Sequence, residues 1–209
     1  GILNNQINLG GLGKVVACWI GTPTGAVIVS IPLYYAVAAI YNKLHLSVFR
    51  SDSMLRFGLV AAGSYGAYAL GANNVANVTA VFVGAGLITV FLATLIGGVS
   101  IALGIITYSK PVMETVGKKL VKLDPFSAFV VVLAGAITVH IYTIIGVPVS
   151  TSQAVIGAVI GIGIVKGAHT VSKKTLKNIL LAWILTPVVA CFIALVIDFA
   201  YNLHYIPPQ

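Results

Sequence analysis

Long apolar stretches alternate with short polar gaps along this chain. The apolar stretches cover residues 12–40, 57–108, 126–165 and 180–200, and the gaps cover residues 42–56, 108–125 and 166–177. A helix needs about 20 apolar residues to cross a bilayer. The first and last stretches therefore predict one crossing each, the second predicts two or more, and the third predicts two. This pattern indicates an all-α, polytopic transmembrane helical bundle.

Composition and charge support a membrane protein and predict its orientation. The sequence is 59% hydrophobic and 8% charged, whereas soluble domains carry about 25% charged residues. Eleven of the twelve Lys and Arg residues lie in the three gaps, and the positive-inside rule places such gaps in the cytoplasm. We therefore expect residues 42–56, 108–125 and 166–177 to be cytoplasmic and the C-terminus to be external. The net charge of +8 does not indicate nucleic-acid binding, because the basic residues lie in short gaps between apolar stretches.

A short motif occurs twice, at residues 12–23 and 176–187. Both copies read Leu-x-x-x-x-x-x-Trp-Ile-x-Thr-Pro, and a long apolar run follows each. With the predicted orientation, the first copy starts outside and the second starts inside, so an odd number of crossings separates them. This predicts an inverted-topology repeat with broken helices or re-entrant hairpins, as in many secondary transporters. We assign residues 1–41 to the last helix of a first repeat, 42–56 to a linker and 57–209 to a second repeat, and we expect a longer protein to hold the rest of the first repeat.

Two polar clusters interrupt the apolar stretches. Residues 71–77 read Gly-Ala-Asn-Asn-Val-Ala-Asn, and residues 148–153 read Pro-Val-Ser-Thr-Ser-Gln. The proline interrupts a helix, and a hydroxyl residue after it can cap the next helix, whose open N–H groups suit an anion. Asparagine side chains can bind a cation through oxygen or an oxyanion through nitrogen. Each cluster alone could be a capped kink or a hydrogen-bond zipper between helices, but two clusters at predicted helix breaks in one repeat favour a binding site.

The remaining polar residues do not indicate catalysis. The sequence shows no paired carboxylates and no nucleophile with a neighbouring base, so we expect no enzyme and no cofactor beyond bound ions. It also has no glycine-rich phosphate loop for ATP. His140 lies deep in apolar sequence and is either functional or a neutral histidine that donates to a backbone carbonyl. Asp198, late in the last stretch, is best explained as a helix-end residue.

Together, the two clusters resemble the signatures of the inorganic phosphate transporter family. Residues 71–77 are similar to its Gly-Ala-Asn-Asp-Val-Ala-Asn signature, and residues 148–153 are similar to its second signature, Pro-Val-Ser-Thr-Thr/Ser-His/Gln. Their order and separation match one repeat of that family, and the resemblance covers essentially the whole chain as the C-terminal half. It implies a secondary transporter that imports inorganic phosphate with a cation by alternating access, with sodium favoured over protons.

The resemblance also implies site residues and partners. Phosphate would be bound by Asn73, Asn74, Ser150, Thr151, Ser152 and Gln153, and sodium by Asn73, Asn74, Asn77 and Thr151. The implied partners are phosphate, sodium or protons, the N-terminal repeat of the same transporter, the lipid bilayer and, as one option, a second copy in a homodimer. Asn74 stands where the family usually has Asp, so a carboxylate for the cation has to come from the other half, or this cation site is weaker. Two alternatives stay open: transport of another oxyanion such as sulfate, and a non-transporting structural or channel subunit.

Overall fold

The part of the chain that the structure describes, residues 9–167 and 171–204, folds into helices. The structure is a computed structural model, and it contains no β-strand within those residues. The first six helices belong to one compact unit, and the seventh belongs to a second unit. The helices are α1 (Leu9–Lys43), α2 (Val48–Leu70), α3 (Ala76–Gly84), α4 (Val90–Glu114), α5 (Pro125–Ile144), α6 (Thr151–Val165) and α7 (Lys173–His204).

Four helical segments are long and apolar enough to cross a bilayer. Among the described residues they are Val16–Lys43, Val90–Glu114, Pro125–Ile144 and Lys173–Ile197. Helix α6 is also apolar but has 15 residues, or about 22 Å, which is shorter than a hydrocarbon core of about 30 Å. The prediction of an all-α, multi-pass transmembrane protein is confirmed. The orientation of its loops and the inverted repeat stay predictions.

The asparagine cluster begins in a π-helical turn, Gly71–Val75, that joins α2 to α3, and its last asparagine, Asn77, lies in α3. Leu70 and Ala76 on either side keep right-handed helical backbone angles, so residues 48–84 form one continuous helical run. The predicted helix break at this cluster is therefore wrong. Asparagine disfavours a helix when its side chain bonds to nearby backbone. Here the Asn73 side chain bonds instead to the link between α5 and α6.

The second polar cluster does separate two helices, as predicted. Helix α5 ends at Ile144, and Gly146 follows with a φ of 76°, a left-handed value that favours glycine. The Val147 N–H bonds back to the Tyr142 carbonyl at 2.9 Å, which closes the helix end. The chain then runs without regular structure to Ser150, and α6 begins at the next residue.

Helix α6 lies in the core of the first unit and contacts both α1 and α5. Its Ala158 and Val159 are fully buried. Gly157 and Gly161 face α1, where a Cβ on Gly157 would overlap the Pro23 carbonyl oxygen. Small residues at this spacing let the two helix backbones approach closely. This contact positions the first turn of α6 against α1.

Candidate functional site

The two polar clusters meet in the structure through Asn73. This residue is buried, and its Oδ1 accepts hydrogen bonds from the backbone N–H of Val149 (3.3 Å) and from Asn77 Nδ2 (3.2 Å). Its Nδ2 donates to Thr143 Oγ1 (3.2 Å) and to the Val147 carbonyl oxygen (3.5 Å). A side-chain amide offers two donor hydrogens and two acceptor lone pairs, so the protein already uses the whole capacity of Asn73. This residue holds the π turn against the α5–α6 link.

The neighbouring Asn74 makes a looser connection to α6. Its Oδ1 accepts from Thr151 Oγ1 at 3.5 Å, and both residues are half-buried. Asn77 is exposed and donates a hydrogen bond through Nδ2 to Asn73. Its Oδ1 has no hydrogen-bond partner among the described residues and can accept one from a ligand. The side-chain oxygens of Asn74, Asn77 and Thr151 therefore keep more acceptor capacity for a cation than that of Asn73, although Asn74 lines a separate and mostly apolar cavity.

The first turn of α6 provides hydrogen-bond donors. Ser150 caps the helix, because its Oγ accepts the Gln153 N–H at 3.4 Å, and it also pairs with Ser152 Oγ at 2.9 Å. The first N–H groups of any helix lack partners within the helix, and the helix dipole places partial positive charge there. Thr151 and Ser152 add hydroxyls to the same turn. Such a turn can hold an oxyanion without a buried positive side chain.

One cavity adjoins this turn, and another adjoins the link between α5 and α6 that precedes it. The first has a volume of about 290 Å³ and is lined by Cys18 and Trp19 of α1, Asn77 of α3, and Pro148, Val149, Ser150 and Gln153. The second has a volume of about 190 Å³ and is lined by Ala72, Asn73, Ala76, Asn77, Thr143, Gly146, Val147 and Pro148. In the described part of the chain, neither lining contains Lys, Arg, His or a carboxylate. A ligand in either cavity would therefore meet neutral dipoles.

Gln153 has a buried polar atom that no described group of the protein satisfies. The residue is 3% exposed, and its Oε1 has no hydrogen-bond partner within the described residues. An unpaired buried acceptor costs about 1 to 3 kcal/mol. A ligand that supplies a donor hydrogen or a cation removes this cost. Gln153 is therefore a candidate ligand-contacting residue, on an observation that is independent of the helix start.

The structure adds residues that the sequence did not single out. Thr143 accepts from Asn73 and itself donates to the Val139 carbonyl at 2.8 Å. In the sequence, only the position of Thr143 shortly before Pro148 indicated a role at the site. Trp19 lines the first cavity, and its membership of the repeated motif was the available indication.

His140 lies where α2 and α5 pack together and lines neither cavity. Its Nδ1 bonds to the Tyr65 hydroxyl at 2.6 Å, and the rings of Tyr65 and Tyr68 meet the imidazole edge-on. The structure therefore gives this Nδ1 a side-chain hydroxyl as its partner. The side chain of Asp198 lies outside the described residues. Among those that are described, no group of three or more His, Cys, Asp or Glu residues could hold a metal ion.

Comparisons with known proteins connect the two clusters to one family. The family model of the phosphate transporter family matches residues 47–194. A protein of Methanocaldococcus jannaschii named "putative phosphate permease" is 34% identical over 198 residues, which is 95% of this chain and 63% of that protein. A protein of Bacillus subtilis named "sulfate permease" is 33% identical over 148 residues, which is 70% of this chain and 42% of that protein.

A solved structure shares the fold. It is that of a sodium-dependent phosphate transporter, with a TM-score of 0.71 and 24% sequence identity, and the match covers 93% of this chain and 67% of that one. At this identity the likeness shows the fold alone. The chain spans less than two thirds of the length of the two relatives described above.

Proposed function

The chain belongs to the phosphate transporter family, and on that premise we propose that it forms part of a secondary transporter that imports inorganic phosphate together with a cation. The family is one of transporters and not of enzymes. The first turn of α6 supports this proposal, because the Ser150 hydroxyl and the unsatisfied Gln153 line a cavity with no charged side chain in its described lining. Open N–H groups and the hydroxyls of Thr151 and Ser152 belong to the same turn. An oxyanion supplies the negative charge and the acceptor oxygens that suit such a helix start.

The site residues divide between phosphate binding and cation binding in this proposal. Phosphate is bound by Ser150, Thr151, Ser152 and Gln153, and the cation is bound by oxygens of Asn74, Asn77 and Thr151. Asn73 was expected to bind both ligands. We instead propose a positioning task for it, because four hydrogen bonds to the protein use its whole capacity.

Sodium is the cation that we favour over protons. Amide and hydroxyl oxygens are the kind of hard ligand that alkali and alkaline-earth ions prefer, and they do not take up protons near neutral pH. No carboxylate or imidazole lines the two cavities in the part of the chain described here. Sodium beside phosphate would also reduce the net charge that has to leave water, which is the main cost of burying an anion.

The complete transporter would combine two inverted repeats. We propose that residues 1–41 belong to the first repeat and residues 57–209 to the second, and that the N-terminal repeat supplies the other part of the site. The basic segments 42–56, 108–125 and 166–177 would then face the cytoplasm. Rocking of one repeat against the other would expose the site to each side in turn. Assembly of two such transporters into a homodimer is compatible with this arrangement.

Sulfate transport is the second candidate function. The relative named as a sulfate permease is 33% identical to this chain, and sulfate has the same tetrahedral shape as phosphate. Both anions can accept hydrogen bonds from the first turn of α6. Competition between unlabelled sulfate and labelled phosphate would separate the two candidates.

Uptake by the full-length protein in proteoliposomes tests the proposed function. Labelled phosphate is supplied with and without an inward sodium gradient. The double variant Ser150→Ala, Thr151→Ala is compared with Thr107→Val, which removes a hydroxyl that bonds to backbone carbonyls of its own helix, α4. We expect saturable, gradient-driven uptake for the wild type and for the control. Because a hydrogen bond to a charged group contributes about 1.5 to 3 kcal/mol, the double variant should lose uptake by roughly tenfold or more.

Two results would contradict this proposal. Uptake that neither saturates nor responds to the gradient would favour the channel or structural subunit. Normal uptake by the double variant would show that the first turn of α6 does not bind the anion.

A further inference from the structure

The acceptor oxygen of Gln153 gives the site a means of selection that its donors lack. The N–H groups and hydroxyls at the start of α6 suit any tetrahedral oxyanion, because phosphate and sulfate both present acceptor oxygens. A side-chain carbonyl oxygen can only accept a hydrogen bond. It gains a partner from an oxyanion that carries an O–H group and gains none from an oxyanion without one.

We propose that Gln153 selects oxyanions that carry an O–H group, such as phosphate and arsenate, over sulfate by accepting a hydrogen bond from that group. This inference rests on the proposed function and goes beyond it, because it names the residue that distinguishes two oxyanions of the same shape. Near neutral pH orthophosphate carries at least one O–H group, whereas sulfate carries none.

The other amide oxygens near the α6 turn are engaged or exposed. Asn73 Oδ1 already accepts two hydrogen bonds, and Asn74 Oδ1 accepts one from Thr151. Asn77 is exposed, so water can satisfy its oxygen. Gln153 alone among these amides combines deep burial, a place in the lining of the larger cavity and an oxygen without a partner in the described residues.

The side-chain amide of Gln153 is also able to turn toward a ligand. Within the described part of the chain, no hydrogen bond holds this amide, so a rotation about its last torsion can direct the oxygen into the cavity. Sulfate bound there could accept a hydrogen bond from the amide nitrogen, but it has no donor for the oxygen and would leave it unpaired. A site built to bond a substrate hydroxyl strongly rejects an analogue that lacks it, because the buried polar group of the site stays unpaired.

Competition assays on the full-length protein test this selection. Uptake of labelled phosphate is measured with unlabelled phosphate, arsenate or sulfate as competitor, in the wild type, in Gln153→Met and in Ser152→Ala. Methionine keeps the length of the side chain and removes the oxygen, whereas Ser152→Ala removes a hydroxyl from the same helix turn. In Gln153→Met we expect the ratio of the inhibition constants of sulfate and phosphate to fall by roughly tenfold, which corresponds to about 1.4 kcal/mol. Ser152→Ala should weaken both anions and leave the ratio unchanged, and arsenate should follow phosphate in every variant.

The possible outcomes separate this inference from the proposed function. An unchanged ratio in Gln153→Met would overturn the inference while phosphate uptake by the wild type still supported the function. If Gln153→Met left the ratio of the inhibition constants unchanged but needed more sodium for uptake, the Gln153 oxygen would be a cation ligand, and the inference would also be overturned. If the wild type showed no saturable phosphate uptake, the proposed function itself would fail.

A second variant keeps the test informative if Gln153→Met does not fold. Gln153→Glu retains an acceptor oxygen at the same position and adds negative charge. It should keep or increase the preference for phosphate over sulfate, even though total uptake falls. A loss of preference in this variant would overturn the inference.

Discussion

The close contact between α1 and α6 leads to a sharp prediction for Gly157. A Cβ added to this residue would overlap the Pro23 carbonyl oxygen, stand 2.8 Å from the Pro23 Cα and stand 2.9 Å from the Ala26 Cβ. The first two of these atoms belong to the backbone, so no side-chain rotation can relieve the overlap. In Gly157→Ala the two helices have to move apart.

The size of this effect follows from two opposing contributions. Overpacking of a well-packed core costs about 1 to 3 kcal/mol, and the backbone contacts place Gly157→Ala near the upper end. Alanine returns about 1 kcal/mol through its better helix propensity. We therefore expect Gly157→Ala to lower the free energy of unfolding by about 2 kcal/mol, the difference between these two contributions.

A matched control makes the measurement decisive. Gly98→Ala changes a glycine of α4 whose added Cβ meets no atom within 4 Å, so it should gain stability by up to about 1 kcal/mol from helix propensity. Thermal or denaturant unfolding of the purified full-length protein in detergent compares the two variants. If Gly157→Ala were as stable as Gly98→Ala, the close approach of α1 and α6 described above would be refuted.

Three further predictions concern other contacts of the first unit. Asn73→Ala should cost about 1 to 3 kcal/mol because the buried N–H of Val149 loses its partner, and hydrogen exchange at that amide should become faster. Burial raises the pKa of Asp124, but hydrogen bonds, the largest from Lys166, outweigh it and lower the pKa from 3.8 to about 2. The ionised carboxylate of Asp124 therefore stabilises the fold fully above about pH 4, and this stabilisation is lost as the pH falls toward 2. Because the Asp124 side chain is 46% exposed, Asp124→Asn should cost only about 1 kcal/mol of unfolding free energy at pH 7. The stability of this variant should not fall between about pH 4 and about pH 2 through loss of the Asp124 charge. Tyr65→Phe removes the hydroxyl that bonds His140 and should cost about 1 kcal/mol in thermal unfolding, whereas an unchanged stability would show that this bond contributes nothing.

Hydrophobic patterning could predict the helices because a helix that crosses a bilayer or packs in the protein core needs a long run of apolar residues. The apolar stretch 12–40 lies within α1, and the stretch 180–200 lies within α7. The same reasoning failed at residues 71–75, where it predicted a break and the structure has a π turn. Whether an asparagine leaves a helix depends on its partners, and three of the four hydrogen-bond partners of Asn73 lie 70 or more residues along the chain. Nothing local in the sequence contains that information.

Asn73 and Gln153 show why a motif could indicate the site but not the task of each residue. Both were expected to bind phosphate, because both lie in the matched signatures. The fold gives Asn73 four hydrogen bonds and leaves Gln153 with a buried oxygen that is unpaired among the described residues. Loss of the Asn73 side chain should therefore lower stability and reduce the uptake of phosphate and sulfate together. Loss of the Gln153 oxygen should change the ratio of the two anions with little loss of stability, because only the ligand would have satisfied that oxygen.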